Sequence, residues 1–146
     1  MRFVIQLSAI KRISLVVVML ASTKLGVAQT ASLKASIEKG KTVYVQRCMV
    51  CHQQDGGGVP HLNPPLDGAS TVKGKDKSRL ITILLKGMTD RVEIDGEYYS
   101  NNMASNADLS DQEIADVLNY IRNSWTNKTA TPVTNAEVKL VRAKTK

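Results

Sequence analysis

Five consecutive residues, Cys48-Met49-Val50-Cys51-His52, constrain this chain more than any other feature of its sequence. They contain its only two cysteines. Two thiols three positions apart with an imidazole next to them suit few chemistries. A thioredoxin-like redox pair calls for a βαβ setting, and none is visible. A disulfide across so short a loop removes little chain entropy. A zinc centre needs about four ligands, and His61 is the only other histidine or cysteine. The remaining chemistry is attachment of a c-type haem. Thiols so spaced at the end of a helix reach the two vinyl groups along one haem edge, and His52 is then held under the iron. The motif predicts one covalently bound haem c per chain, on Cys48 and Cys51 with His52 as an iron ligand.

At 146 residues, one domain with a short appendage is expected. Aromatic content is 4%, with one Phe and one Trp, so large side chains are too few to fill a core unaided. The N-terminus reads as an export signal. Arg2, Lys11 and Arg12 precede a short apolar run from Ile13 to Ala21, and small residues follow at Gly26 and Ala28. That run is shorter than the roughly 20 residues a membrane span needs. The expected organisation is a signal peptide over 1–28, a haem domain over 29–127 and a C-terminal extension over 128–146. The expected location is the periplasm, with no span left after cleavage. Without Arg2, Lys11, Arg12 and Lys24 the chain keeps 16 basic against 13 acidic residues, about +3. That is too weak a charge for a nucleic-acid binder.

Residues 32–47 have helical spacing, with Ile37, Gly40, Tyr44, Arg47 and Cys48 on one face. A glycine in that stripe points to a second backbone passing close by. After His52 a long irregular segment, rich in Gly and Pro, suits a chain wrapping a flat cofactor. A second helix is expected over 77–86, with Leu80, Ile81, Leu84 and Leu85 inward and Gly87 as its stop. Asp95-Gly96 between Arg91–Ile94 and Glu97–Tyr99 predicts a hairpin. The clearest helix starts at the Ser110/Glu113 capping box and buries Ile114, Val117, Leu118 and Ile121. A short helix is expected from Thr134, with Glu137 in capping position.

The other axial side of the iron needs a ligand, and thioether sulfur there favours the ferrous state. Met88, Met103 and His61 follow the motif. Met103 lies in a polar loop before the clearest helix and is the preferred ligand. Met88 reads as an ordinary core residue, and His61 as a surface or propionate-side residue.

From Glu38 to Trp125 the chain resembles the class I monohaem cytochrome c family. Glu38-Lys39-Gly40-Lys41-Thr42-Val43-Tyr44-Val45-Gln46-Arg47-Cys48 looks like that family's first helix, in which a glycine and an aromatic meet the last helix. Val117, Leu118 and Tyr120 match the partners on that helix. The resemblance is closer still to small cytochrome c domains associated with periplasmic alcohol, aldehyde and gluconate dehydrogenases and some nitrite reductases. It implies an all-α cytochrome c fold, with N- and C-terminal helices crossing around one haem and a small hairpin. Pro64, in Pro64-Pro65-Leu66-Asp67-Gly68, matches the proline whose carbonyl accepts the N–H of the haem histidine. Where the family usually has proline after the ligand methionine, this chain has Ala104.

With His52 and Met103 on the iron no substrate can reach it. No catalytic constellation is evident, so the expected work is single-electron transfer rather than enzymatic turnover. Expected partners are redox proteins: a dehydrogenase or cytochrome complex as donor, and an oxidase or reductase as acceptor. Lys73, Lys75, Lys77 and Arg79 form a basic cluster suited to an acidic partner. Two alternatives stay open: a five-coordinate gas sensor or peroxidase, and a fixed electron-transfer subunit of a dehydrogenase or reductase complex.

Overall fold

A computed structural model describes residues 32–129 and 131–145. Ala35–Lys146 form one compact unit. The expected signal peptide and its cleavage point lie outside the described residues.

Helix α1 covers residues 32–47 and buries Gly40, Val43 and Tyr44. Arg47, which the spacing places on the same face, instead lies at its edge, exposed and paired with Asp108. The buried stripe is narrow because it faces a single helix. After Cys48 comes α2, Met49–His52, one turn that nearly continues α1. Cys48 N donates to Tyr44 O at 2.8 Å and His52 N to Cys48 O at 2.9 Å, so the ladder survives the junction. The Tyr44 hydroxyl donates to Gln53 O at 2.6 Å, taking up a carbonyl just past α2.

Helix α5, Asp111–Ile121, starts at the expected capping box. It buries Ile114, Val117, Leu118 and Ile121, the stripe that the periodicity names, and crosses α1 at Gly40. A Cβ on Gly40 would stand 1.9 Å from Asp116 O and 2.9 Å from Tyr120 Cβ, so only glycine allows this approach. Beside the crossing, Ser36 donates to Asp116 Oδ1, and Asn119 Nδ2 donates to Ser36 Oγ at 2.9 Å. Tyr44, Tyr120 and Trp125 close one end with ring centroids 5.2, 5.4 and 5.8 Å apart. Such tilted and edge-on pairs suit the aromatic quadrupole.

Helix α3, Ser70–Lys73, is a single turn that no periodicity announces. A buried arginine holds it: Arg122 Nη1 donates to Val72 O at 2.6 Å and to Gly74 O at 2.9 Å. Helix α4, Lys77–Lys86, is capped by Asp76 and ends at Gly87, and the expected Leu80, Ile81, Leu84 and Leu85 are buried. Strands β1, Val92–Ile94, and β2, Glu97–Tyr99, pair antiparallel with Val92 opposite Tyr99. Their turn has φ of 54° at Asp95 and 88° at Gly96, as a type I′ turn requires.

Helix α6, Asn135–Lys144, begins at the Thr134/Glu137 capping box and packs on α4 and α5. Asn119 and Val133 exchange two hydrogen bonds, Nδ2 to O at 2.9 Å and N to Oδ1 at 2.7 Å. Arg142 donates to Asp111, Ala107 O and Leu109 O, closing α6 over the start of α5. Lys77 reaches Glu137 and Pro132 O. It therefore serves the docking of α6, and the basic cluster expected at the surface keeps Lys73, Lys75 and Arg79 but not Lys77.

Candidate haem site

Opposing faces of these elements enclose a cavity of about 360 Å³. Its wall carries Cys48, Cys51, His52, Pro64, Met88 and Met103, set among apolar side chains such as Leu80, Leu84, Val117, Leu118 and Ile121. Cys48, Cys51, His52, Pro64 and Met103, the residues that the sequence nominates for the haem, thus all line this cavity, while His61 does not. Its side chain is 76% exposed and lies 3.6 Å from Glu97.

The two thiols follow from local geometry. Cys48 is the junction of α1 and α2, and Cys51 sits one turn on. Both are free and half-buried. Burial pushes the Cys48 thiol up to about 11, against the pull of Arg47. A redox Cys-X-X-Cys pair has its nucleophilic thiol lowered, the opposite direction to that of Cys48.

His52 is oriented by a loop folded back on itself. Its Nδ1 donates to Pro64 O at 3.0 Å, and a carbonyl only accepts, so Nδ1 carries the proton. Nε2 is left with its lone pair free for a metal. Burial lowers the pKa of His52, outweighing the Pro64 bond that favours the charged ring, which keeps the imidazole in the ligating form. The carbonyl is in place because residues 56–58 and 63–67 lie on each other. Leu66 N and Asp67 N both donate to Gly56 O, and Gly58 N donates to His52 O. At Gly58, with φ of 66°, a Cβ would stand 2.3 Å from Asn63 O and 2.6 Å from Pro64 O. Gly58 is therefore a positioning residue for His52. Nothing in the glycine-rich run of the sequence separates it from its neighbours.

Asn127 was likewise invisible in the sequence. It is fully buried, donates to Leu66 O and Ile121 O, and accepts from Gly68 N, tying the loop to the end of α5. Met103 and Met88 reach the cavity from a two-residue bridge in which each backbone bonds the other.

Two thiols, an imidazole with an open nitrogen, thioether sulfurs and a largely apolar surround fit a flat macrocycle with a central iron. The arrangement defines the class of small helical haem proteins. Comparison with known proteins makes this specific. The model of the cytochrome c family, described as "Cytochrome c", matches residues 37–125. Cytochrome c-552 of Thermus thermophilus is 42% identical over 112 residues, covering 72% of this chain and 85% of that protein. The cytochrome c subunit of the quinone alcohol dehydrogenase of Gluconacetobacter polyoxogenes is 37% identical over 111 residues, 70% of this chain but 22% of that subunit. The gluconate 2-dehydrogenase cytochrome c subunit of Pantoea cypripedii is 36% identical over 110 residues, 72% and 24% respectively. The chain belongs to the cytochrome c family, its fold is the cytochrome c fold, and its function is electron transfer.

Proposed function

We propose that this chain is an exported, periplasmic monohaem cytochrome. It holds one haem c through thioethers at Cys48 and Cys51, ligates the iron with His52 and Met103, and passes single electrons between redox proteins. The observation that carries the reading is the shared cavity: both thiols, His52, whose Nδ1 is held by Pro64 O, and Met103 all border one largely apolar cavity. Bound there, the haem supplies an iron that cycles between ferrous and ferric states.

The chain's own residues set the conditions for that cycle. Pro64 O fixes the tautomer of His52 and raises its basicity. Leu80, Leu84, Val117, Leu118 and Ile121 exclude water and so help set the potential. His52 and Met103 together would hold the iron closed to a substrate, so that the protein would work as a carrier rather than an enzyme. Its partners are a dehydrogenase or cytochrome complex on the donor side and an oxidase or reductase on the acceptor side. Lys73, Lys75 and Arg79 remain exposed to steer an acidic partner.

A second reading rests on the relatives that are subunits of alcohol and gluconate dehydrogenases. This chain would then stay docked on a catalytic partner, and copurification of a large subunit from the native source would distinguish it from a shuttle.

The test is a visible spectrum of protein from a host competent in c-type haem attachment. The expected result is a low-spin reduced spectrum, and an oxidised form with the weak far-red band of a sulfur–iron bond. A high-spin ferric spectrum that changes when CO meets the reduced form would instead make it a five-coordinate sensor or peroxidase.

A further inference from the structure

Met88 and Met103 stand opposite each other in a single antiparallel bridge. Met88 N donates to Met103 O at 2.9 Å and Met103 N to Met88 O at 2.8 Å. Residues that exchange both bonds have Cα atoms about 5.5 Å apart and side chains on one face of the ribbon. Both methionines are half-buried and both border the same cavity. Met103 is among the half-buried side chains packed on the core cluster, and Met88 is not. As a lining residue Met88 is still compatible with the expectation of a core methionine, but it stands beside Met103 at the same cavity.

The backbone beneath this pair is fixed. A Cβ at Gly87, where φ is 72°, would lie 2.3 Å from Met103 O. Ser105 Oγ donates to Leu85 O at 2.6 Å, and Asn106 N to Leu84 O at 2.8 Å. The segment has no proline at 104, yet it is clamped along its length. With these bonds kept, a sulfur would leave the iron by rotating its own side chain. Methionine has three rotatable bonds for such a movement, and the neighbouring thioether has the same freedom.

We propose that Met88 is a second axial-ligand residue, whose sulfur takes the sixth position whenever that of Met103 leaves it. This rests on the reading of Met103 as the resident ligand. One sulfur–iron bond breaks and another forms, with no electron or proton transferred. The exchange keeps the ligand class unchanged, so the site stays closed to small diatomic ligands while Met103 is away.

The test uses four holoproteins: wild type, Met88→Leu, Met103→Ala and the double variant. The readouts are the far-red ferric band, the spin state, and CO binding to the reduced form. Met88→Leu is expected to keep the low-spin form and the far-red sulfur band of wild type, whatever small shift its place in the cavity lining brings. Met103→Ala is expected to remain low-spin with a sulfur band, and the double variant to lose the band, turn high-spin and bind CO at least about tenfold faster than Met103→Ala, a difference of roughly 1.4 kcal/mol in barrier. Loss of the band in Met103→Ala, with a high-spin form or a low-spin form lacking sulfur, overturns the proposal. Loss of the band in Met88→Leu alone would make Met88 the resident ligand and remove the reading of Met103. A wild type without the band would remove both. Met103→Ser is read in the same way, so misfolding of the alanine variant would not decide the matter.

Discussion

Helix α5 shows two faces that were solved in opposite ways. Toward α1 it is packed without remainder: Asp116 and Tyr120 press on Gly40 so closely that no side chain fits between. Toward the other side, Val117, Leu118 and Ile121 line a cavity of about 360 Å³. The crossing is complete as protein alone. The wall is complete only with the group that fills it, so fold and cofactor share one core.

The largest effect should come from withholding that group. In a haem-free Cys48→Ala/Cys51→Ala protein, core-truncation scaling of about 24 cal/mol per Å³ puts the cost of the void on the order of 9 kcal/mol, comparable with a domain's whole stability. Near-UV circular dichroism should be lost and denaturant unfolding should become broad. An unchanged midpoint would mean that the wall stands alone and the contrast is false.

Gly40→Ala attacks the other face. Overpacking at the crossing should cost about 3 kcal/mol, read as a lowered denaturant midpoint in the holoprotein. The visible spectrum should not change, because the crossing does not touch the haem. A spectral shift would show the two faces to be coupled.

Arg122→Met tests the join between them. It strips the buried carbonyls of Val72 and Gly74 of their donor, and Val72 borders the cavity. A loss of about 2 kcal/mol is expected, with a shift in the haem spectrum this time.

Thr134→Ala, outside the cavity lining, should cost about 1 kcal/mol through its helix cap, with no spectral change. Glu137 supplies the pH dependence there. Burial raises its pKa, but bonds from Lys77 and Thr134 outweigh it and hold the carboxyl below its usual range. A folded pKa below the unfolded one stabilises the native state at neutral pH. That contribution disappears as pH falls through the folded value, so the acid limb of stability should be shallower in Thr134→Ala than in wild type.

Much of this was legible from periodicity and punctuation. The Ser110 and Thr134 capping boxes, the Gly87 stop, the Asp95-Gly96 turn and the α5 stripe are local signals, and each appears where its local rule puts it. The grouping of Cys48, Cys51, His52, Pro64 and Met103 around one cavity is in line with what the motif, the position of Met103 and the resemblance imply. What escaped depends on partners distant in sequence. Arg122 and Asn127 look like surface residues at a helix end until the loops they hold are seen. Lys77 reads as a free charge until α6 brings Glu137 to it. Met88 has no periodic partner, because its neighbour Met103 reaches it through a bridge of one residue on each side.

The bond from Ser36 to Asp116 joins positions 80 residues apart. A chain made from its N-terminus presents Cys48 and Cys51 long before α5 exists to cross α1. Until then neither thiol is shut behind the finished fold. The architecture thus imposes an order of assembly: the cofactor's handles emerge early, and the helix that closes over them arrives late. An enzyme that acts on those thiols before α5 has docked on α1 meets them uncovered.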